Sequence, residues 1–191
     1  MIEIRIHGRG GQGNVVAAYL LATAAIDVGR YAQAFPAFGA ERRGAPVTAF
    51  VRIAETTFSR RCQIIRPAFL IVQDEALMTD PTVAEGLLPQ GGILVNATHA
   101  IRPQNISLEA DVMSLAATAL ATEVLGRPVP NTALLAAFLC ITGLLPTRAL
   151  ISALSHHFSG TVLERNVALV EQVSATVPQG VWQEKVRACS I

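Results

Sequence analysis

The chain begins with an alternating pattern of apolar and polar residues. In Met1–His7, isoleucine occupies every second position, and this period predicts a β-strand with one buried face. The pattern stops at Gly8. The proline-free stretch that follows is rich in alanine and leucine and predicts an α-helix, with Gly29 placed as its C-terminal glycine. The first thirty residues therefore predict a strand, a glycine loop and a helix.

Strands and helices alternate along the next part of the chain. Two continuous apolar runs, FLIVQ and GILVN, are typical of strands buried on both faces of a parallel sheet. In order, the pattern predicts strands at 31–35, 47–53, 69–73 and 92–96, and a helix within 75–88. The last third predicts helices over 113–125 and from Asn131, Thr147 and Thr161. We therefore expect an α/β fold that is Rossmann-like, with a mainly parallel sheet, helices on both faces and a helical C-terminal portion.

The pattern favours a single domain over residues 1–177. It contains neither an internal repeat nor a low-complexity linker. Residues 178–191 have weak periodicity and form a predicted C-terminal extension. Such an extension either packs on a partner or frays.

Composition narrows the class of protein. The chain has 191 residues, of which 51% are hydrophobic and 15% charged, with a formal net charge of +1. This excludes intrinsic disorder, and the near-balanced charge argues against a nucleic-acid partner. The apolar stretch Leu134–Leu145 is shorter than the roughly 20 residues of a membrane span, so it predicts a buried core helix. Because no export signal is evident, we expect a cytoplasmic protein, and the apolar surplus suggests a subunit of an assembly.

No set of residues is sufficient for catalysis or metal binding. Cys62, Cys140 and Cys189 are too widely spaced for a zinc site or an iron–sulfur cluster. The four histidines form no spaced ligand set, and no serine lies in a nucleophile-elbow sequence. We therefore predict neither catalytic residues nor a metal site in this chain.

The glycine loop is a candidate anion-binding element. Residues 8–13 satisfy G-x-G-x-x-G after a predicted strand and before a predicted helix, and the candidates are Gly8, Gly10, Gly11, Gln12 and Gly13. A dinucleotide site also needs a carboxylate about 20 residues on, at the end of the second strand. The sequence has AQAF there. Two interpretations remain: a phosphate-bearing ligand, or a tight turn that contacts a neighbouring subunit.

Two further features carry charge. The segment FGAERRGAP places Arg42 and Arg43 between glycines, which suits binding of a phosphate, a carboxylate or an acidic partner surface; a solvated turn is the alternative. Asp74 follows a buried strand. We expect it to accept hydrogen bonds from backbone N–H groups at the start of a helix.

These motifs together resemble the gamma subunit, or gamma domain, of the 2-oxoacid:acceptor oxidoreductases, the pyruvate:ferredoxin oxidoreductase family. The likeness extends over roughly residues 1 to 175 and is carried by the segments Gly8–Gly13, Gly29–Gln33, Phe38–Val47, Ile71–Glu75 and Pro130–Leu135. One departure is Asn14, where the family has a small aliphatic residue. An amide there could cap the helix or contact a ligand.

The resemblance implies a complex that oxidatively decarboxylates a 2-oxoacid and transfers the acyl group to coenzyme A. The 2-oxoacids of the family include pyruvate and branched-chain, indolyl or aryl acids such as phenylglyoxylate. Thiamine diphosphate, magnesium (Mg) and 4Fe–4S clusters are implied for partner subunits of the alpha, beta and delta (ferredoxin-like) types. Electrons pass to ferredoxin, or to NAD through an added flavin subunit. The gamma chain alone is then expected to be inactive.

In the family, the gamma part has been linked to the coenzyme A region. The resemblance therefore implies that the glycine loop and the Arg42/Arg43 loop are the elements that could meet a coenzyme A phosphate. A scaffold subunit without ligand is one alternative. A stand-alone NAD(P)-binding Rossmann oxidoreductase is the other.

Overall fold

A computed structural model of the chain describes residues 1–37, 45–101 and 110–190, so Arg42 and Arg43 lie outside the described residues. The strands are β1 (Ile2–Arg9), β2 (Tyr31–Pro36), β3 (Pro46–Ala54), β4 (Phe69–Val72), β5 (Gly92–Asn96) and β6 (Asp111–Leu115). The α-helices are α1 (Asn14–Asp27), α2 (Ala117–Leu125), α3 (Asn131–Thr142), α4 (Thr147–His157), α5 (Gly160–Thr176) and α6 (Gln183–Cys189). Two 3-10 helices span Glu75–Thr79 and Pro81–Val83.

The described strands form one sheet in the order β2-β3-β1-β4-β5-β6. Strands β1, β4, β5 and β6 pair in parallel, whereas β3 is antiparallel to both of its neighbours. Among the described strands, only β3 therefore runs against the others. The predicted mainly parallel α/β sheet is confirmed, and the third strand lies between the first two.

One face of the sheet is covered by α-helices. Alternate residues of the central strands, including Ile4, Ile6, Phe69 and Ile71, pack there against α1 and the C-terminal helices in one core. All 12 residues of α3 are buried. This confirms the buried core helix predicted from the apolar stretch near residue 140, and burial on every side explains why that stretch lacks a polar stripe.

The other face is covered by the two 3-10 helices. Leu77 and Val83 of these helices pack on the alternate residues of β4 and β5. The sequence predicted a helix within 75–88, and the structure has two short 3-10 helices there instead of an α-helix. Pro81 lacks the N–H that a continuing helix requires, and the Asp80 carboxylate accepts the Thr82 N–H at 2.9 Å and starts a second turn.

Strand β6 was also mispredicted. The sequence indicated a helix over 113–125, whereas the structure has a strand over Asp111–Leu115 followed by α2 from Ala117. The strand is at the sheet edge and only partly buried, so its residues alternate weakly. A short apolar run of this kind does not distinguish strand from helix by period alone.

The C-terminal extension packs on the chain's own core. The Trp182 side chain is 2% exposed and stacks on Phe69 with ring centroids 5.8 Å apart. Backbone N–H groups of Gly180 and Trp182 donate to carbonyls of α3 at 2.8 and 2.7 Å. A Cβ on Gly92 would lie 2.9 Å from the Trp182 ring, so a glycine in β5 makes room for the indole. The described part of the extension therefore packs on this chain's own core and does not fray.

Candidate functional site

The glycine loop joins β1 to α1 and is closed by its own hydrogen bonds. The Arg9 and Gln12 residues exchange two of them: the Gln12 N–H donates to the Arg9 carbonyl at 3.0 Å, and the Arg9 N–H donates to Gln12 Oε1 at 2.7 Å. The Gly10 N–H donates to the Ala45 carbonyl at 3.0 Å. These hydrogen bonds hold the turn in place without a bound ligand.

Two of the glycines make room for amide side chains. A Cβ on Gly8 would lie 2.3 Å from Asn14 Oδ1, and a Cβ on Gly13 would lie 2.6 Å from Asn131 Nδ2. Gly11 is different, because a Cβ added there would meet no atom within 4 Å among the described residues. Packing thus explains Gly8, packing and a left-handed φ of +79° explain Gly13, and a left-handed φ of +98° explains Gly11, which borders open space.

The N-terminus of α1 is suited to an anion. Among the described residues, no side chain caps it and its first turn carries no acidic residue. Its first N–H groups and the helix dipole therefore present partial positive charge at the loop.

Asn14 has a structural role. Its side chain is buried, and Nδ2 donates to the Val47 carbonyl of β3 at 2.7 Å. It is the first residue of α1 and does not cap it. The amide that departs from the family pattern therefore joins the helix to β3.

A cleft of about 330 Å³ opens beside the loop, at the carboxyl ends of β4 and β5. Open α/β sheets place their ligands at this edge. The cleft is bordered by Gln12 on one side and by the start of α2 on the other. Its lining comprises Gln12, Gln73, Asp74, Glu75, Asn96, Ala97, Thr98, Ala116, Thr118 and Ala119.

Asp74 starts a helix, as the sequence predicted. Its Oδ1 accepts the Ala76 N–H at 3.0 Å at the beginning of the first 3-10 helix. Its Oδ2 accepts from Arg9 Nε, so the same carboxylate ties the glycine loop to β4. The Arg9 guanidinium is thereby held against the cleft wall.

Asn96 and Gln73 were missed by sequence reasoning. The Asn96 side chain accepts the Thr118 N–H at 3.1 Å and donates to Thr118 Oγ1 at 2.7 Å and to the Gln73 carbonyl at 2.9 Å, so it caps α2 and joins it to β4. The Gln73 side chain is 1% exposed, and within the described part of the chain neither amide atom has a hydrogen-bond partner. Both residues are amides at the end of an apolar strand, and this pattern could have identified them.

The sheet order disfavours a dinucleotide site. In that fold the strand after the first helix lies beside β1 and ends in the carboxylate that binds ribose. Here β3 lies beside β1, and β2 pairs with β3 and carries Ala32, Gln33 and Ala34. The ribose-binding position is therefore filled by an antiparallel strand.

Residues 1–37, 45–101 and 110–190 show neither a metal cluster nor a membrane span. No three His, Cys, Asp or Glu side chains in these ranges are close enough to hold a metal ion together. None of the helices in the same ranges combines the length and apolar character that a membrane crossing requires.

Sequence comparison decides the family. Residues 3–175 match the pyruvate ferredoxin/flavodoxin oxidoreductase family. The chain belongs to this family. It is 45% identical over 166 residues to pyruvate synthase subunit PorC of Methanothermobacter marburgensis, covering 87% of this chain and 92% of that one. It is 43% identical over 175 residues to the pyruvate/ketoisovalerate oxidoreductases common subunit gamma of Thermococcus kodakarensis, covering 90% and 95% of the two chains. The resemblance to gamma subunits is thus confirmed.

Solved structures confirm the fold. Pyruvate oxidoreductase subunit PORC of Thermotoga maritima superimposes with a TM-score of 0.81 at 33% identity, covering 91% of this chain and 95% of that one. The 2-oxoglutarate:ferredoxin oxidoreductase of Magnetococcus marinus, at 19% identity and a TM-score of 0.75, shares the fold; the match covers 94% of this chain and 32% of that one. This fold therefore occurs both as a separate chain and as part of a longer one.

Proposed function

We propose that this family member is the gamma subunit of a multisubunit 2-oxoacid:acceptor oxidoreductase that oxidatively decarboxylates a 2-oxoacid and transfers the acyl group to coenzyme A in the cytoplasm. Its relatives are named as subunits of pyruvate synthase and of pyruvate/ketoisovalerate oxidoreductases, and it covers 92% and 95% of two of them. Their names favour pyruvate or a branched-chain 2-oxoacid over indolyl and aryl acids such as phenylglyoxylate. Ferredoxin is the acceptor, unless a flavin subunit directs electrons to NAD.

In this proposal the partner subunits perform the redox chemistry. The alpha, beta and delta types hold thiamine diphosphate, magnesium and the 4Fe–4S clusters, and the gamma chain is inactive alone. This chain contributes to assembly and to the coenzyme A region. The division of labour rests on the family resemblance.

The uncapped start of α1 is the observation that carries the coenzyme A role. Gly10, Gly11 and Gln12 turn the chain so that the first N–H groups of α1 are left for an anion, and the helix dipole favours a phosphate there. Gly8 and Gly13 support this turn by admitting side chains of neighbouring elements. Arg42 and Arg43 follow in the sequence and supply charge-assisted hydrogen bonds to the same phosphates.

Replacing Arg42 and Arg43 together with Ala tests this role in the intact complex. Hydrogen bonds to charged groups contribute about 1.5 to 3 kcal/mol each, so the KM for coenzyme A in 2-oxoacid-dependent dye reduction should rise at least about tenfold. Replacement of Arg60 and Arg61 by Ala is the matched control, because these two adjacent arginines are exposed in another segment. An unchanged KM in the Arg42/Arg43 variant would leave a scaffold subunit that binds no coenzyme A.

The subunit assignment is tested separately by native purification through a C-terminal tag. We expect brown, cluster-containing material with three or more partner chains, identified by mass spectrometry, and 2-oxoacid-dependent dye reduction. A colourless homo-oligomer that binds NAD(P) would contradict the assignment.

A further inference from the structure

The Gln73 side chain is buried, but its amide makes no hydrogen bond with the described residues. It is 1% exposed, and among the described residues neither Oε1 nor Nε2 has a partner. An unpaired buried polar group costs free energy, so most buried amides are bonded. Asn166 shows the usual state, because its Nδ2 donates to the Val162 carbonyl at 2.8 Å and its Oδ1 accepts from Thr132 Oγ1 at 2.8 Å. Gln73 therefore requires an explanation.

The position of Gln73 directs its amide towards the cleft. Val72 packs on the 3-10 helix side of the sheet, and because side chains alternate along a strand, Gln73 projects to the side of α1 and the glycine loop. Its N–H donates to the His7 carbonyl at 2.8 Å, which places the residue beside Gly8. Gln73 also belongs to the cleft lining. The residue that carries the unpaired amide thus forms part of the cleft wall, with the amide itself buried directly behind it.

The charge of the cleft selects an uncharged ligand group. Among its described lining residues there is no Lys or Arg, and its charged side chains are Asp74 and Glu75. The Asp74 carboxylate is paired with Arg9, so Glu75 is left to oppose a phosphate, and both carboxylates accept hydrogen bonds from hydroxyl and N–H groups. A ligand phosphate therefore stays at the start of α1, and a neutral hydrogen-bonding part of the same ligand fits the cleft.

We propose that the cleft binds the uncharged, hydrogen-bonding part of the ligand whose phosphate lies at the glycine loop, and that Gln73 pairs with a neighbouring donor and acceptor on it. This inference rests on the proposed coenzyme A role. Coenzyme A offers such a pair in two places, the amides of its pantetheine arm and the edge of its adenine. A glutamine carboxamide binds both kinds of group, and its bidentate pairing with adenine N6 and N7 is well matched in geometry.

Replacing Gln73 with Met separates a ligand contact from a structural one. Met keeps the length and removes an amide that has no partner among the described residues, so the thermal unfolding midpoint of the full chain should stay unchanged or rise. In the assembled complex, the KM for coenzyme A should rise about tenfold, the loss expected for about 1.4 kcal/mol of hydrogen bonding. Asn166→Met is the matched control, because it should lower the unfolding midpoint and leave the KM unchanged.

Competitors identify the part of coenzyme A that Gln73 contacts. Inhibition by pantetheine and by adenosine 3′,5′-bisphosphate is measured in the wild-type and Gln73→Met complexes, and the competitor that weakens about tenfold carries the contact.

The inference is overturned if neither competitor weakens, or if Gln73→Met lowers the unfolding midpoint, because the amide then binds internal water or protein. If the Arg42/Arg43 variant raises the KM and Gln73→Met does not, only this inference fails. If neither variant raises it, the coenzyme A role fails as well.

Discussion

The two faces of the sheet are buried in different ways. On the side of the α-helices, the strands present apolar residues such as Ile6 and Ile71 to one continuous core. On the other side, β1 and β3 carry buried charged or titratable groups, namely Arg5, His7 and Arg52. Apolar burial is non-directional, whereas each buried polar group needs a specific partner. The first face therefore depends on packing, whereas the β1 and β3 part of the second face depends on individual pairings.

Removing a large ring from the helical face should have the largest effect. Phe138 of α3 is fully buried and contacts Phe69 edge-on, with ring centroids 5.5 Å apart. Phe138→Ala should lower the free energy of unfolding by about 3 to 5 kcal/mol, measured by urea denaturation, because it leaves a cavity. Phe138→Leu should cost much less, about 1.5 kcal/mol. A loss below about 1 kcal/mol for the Ala variant would show that this face repacks freely.

On the other face, breaking the ion pair between Arg52 and Glu3 should destabilise the protein almost as much as Phe138→Ala does. The Arg52 side chain is 1% exposed, and its Nε donates to Glu3 Oε1 at 2.6 Å. Arg52→Met should lower the free energy of unfolding by about 3 kcal/mol, because it leaves the Glu3 carboxylate unpaired. Adding Glu3→Gln should recover part of the loss. Arg30→Met breaks an exposed pair with Glu55 and should cost less than about 1 kcal/mol; equal losses for Arg30→Met and Arg52→Met would contradict the comparison.

The pH dependence of stability should report on His7. Burial, and then the Arg5 charge, lower the pKa of His7 from 6.5 to about 4, and Asp80 opposes them weakly. Above pH 6.5 the His7 imidazole is neutral in both the folded and the unfolded chain, and its contribution to stability is fully present. As the pH falls from 6.5 to 4, the imidazole becomes protonated in the unfolded chain but stays neutral in the folded one, so the folded state loses stability. The free energy of unfolding should therefore fall by up to about 3 kcal/mol over this pH range. Unfolding measured between pH 7 and 4 should show a flatter profile for His7→Gln. A His7→Gln profile as steep as the wild-type profile would contradict this expectation.

Strong local periodicity predicted most of the elements. The isoleucines of β1 and the alanines of α1 placed both elements within one or two residues of their observed bounds, because each pattern buries one face. The position of β3 was not predictable, since strand order depends on which edges meet in three dimensions. Arg52 illustrates this: its burial comes from Glu3 in another strand and from the Cys62 carbonyl, which accepts from Nη2 at 2.7 Å.

The candidate site was predicted only in part. The glycine loop was located from its motif, and Asp74 from its place at the end of a strand. Gln73 was missed because its burial and its unpaired amide depend on the neighbouring strand and helix, which do not appear in a local pattern. Asn14 was noticed as a departure, but its bond to the Val47 carbonyl depends on the insertion of β3.

The docked extension has a consequence for synthesis of the protein on the ribosome. Phe69 leaves the ribosome long before Trp182, which stacks on it. The fully buried α3 likewise waits for α5 and α6, which pack against it. Because a nascent chain emerges from its N-terminus, an apolar surface stays open until α6 has emerged, and such surfaces favour aggregation. Chaperone binding to the nascent chain should therefore persist until α6 has left the ribosome.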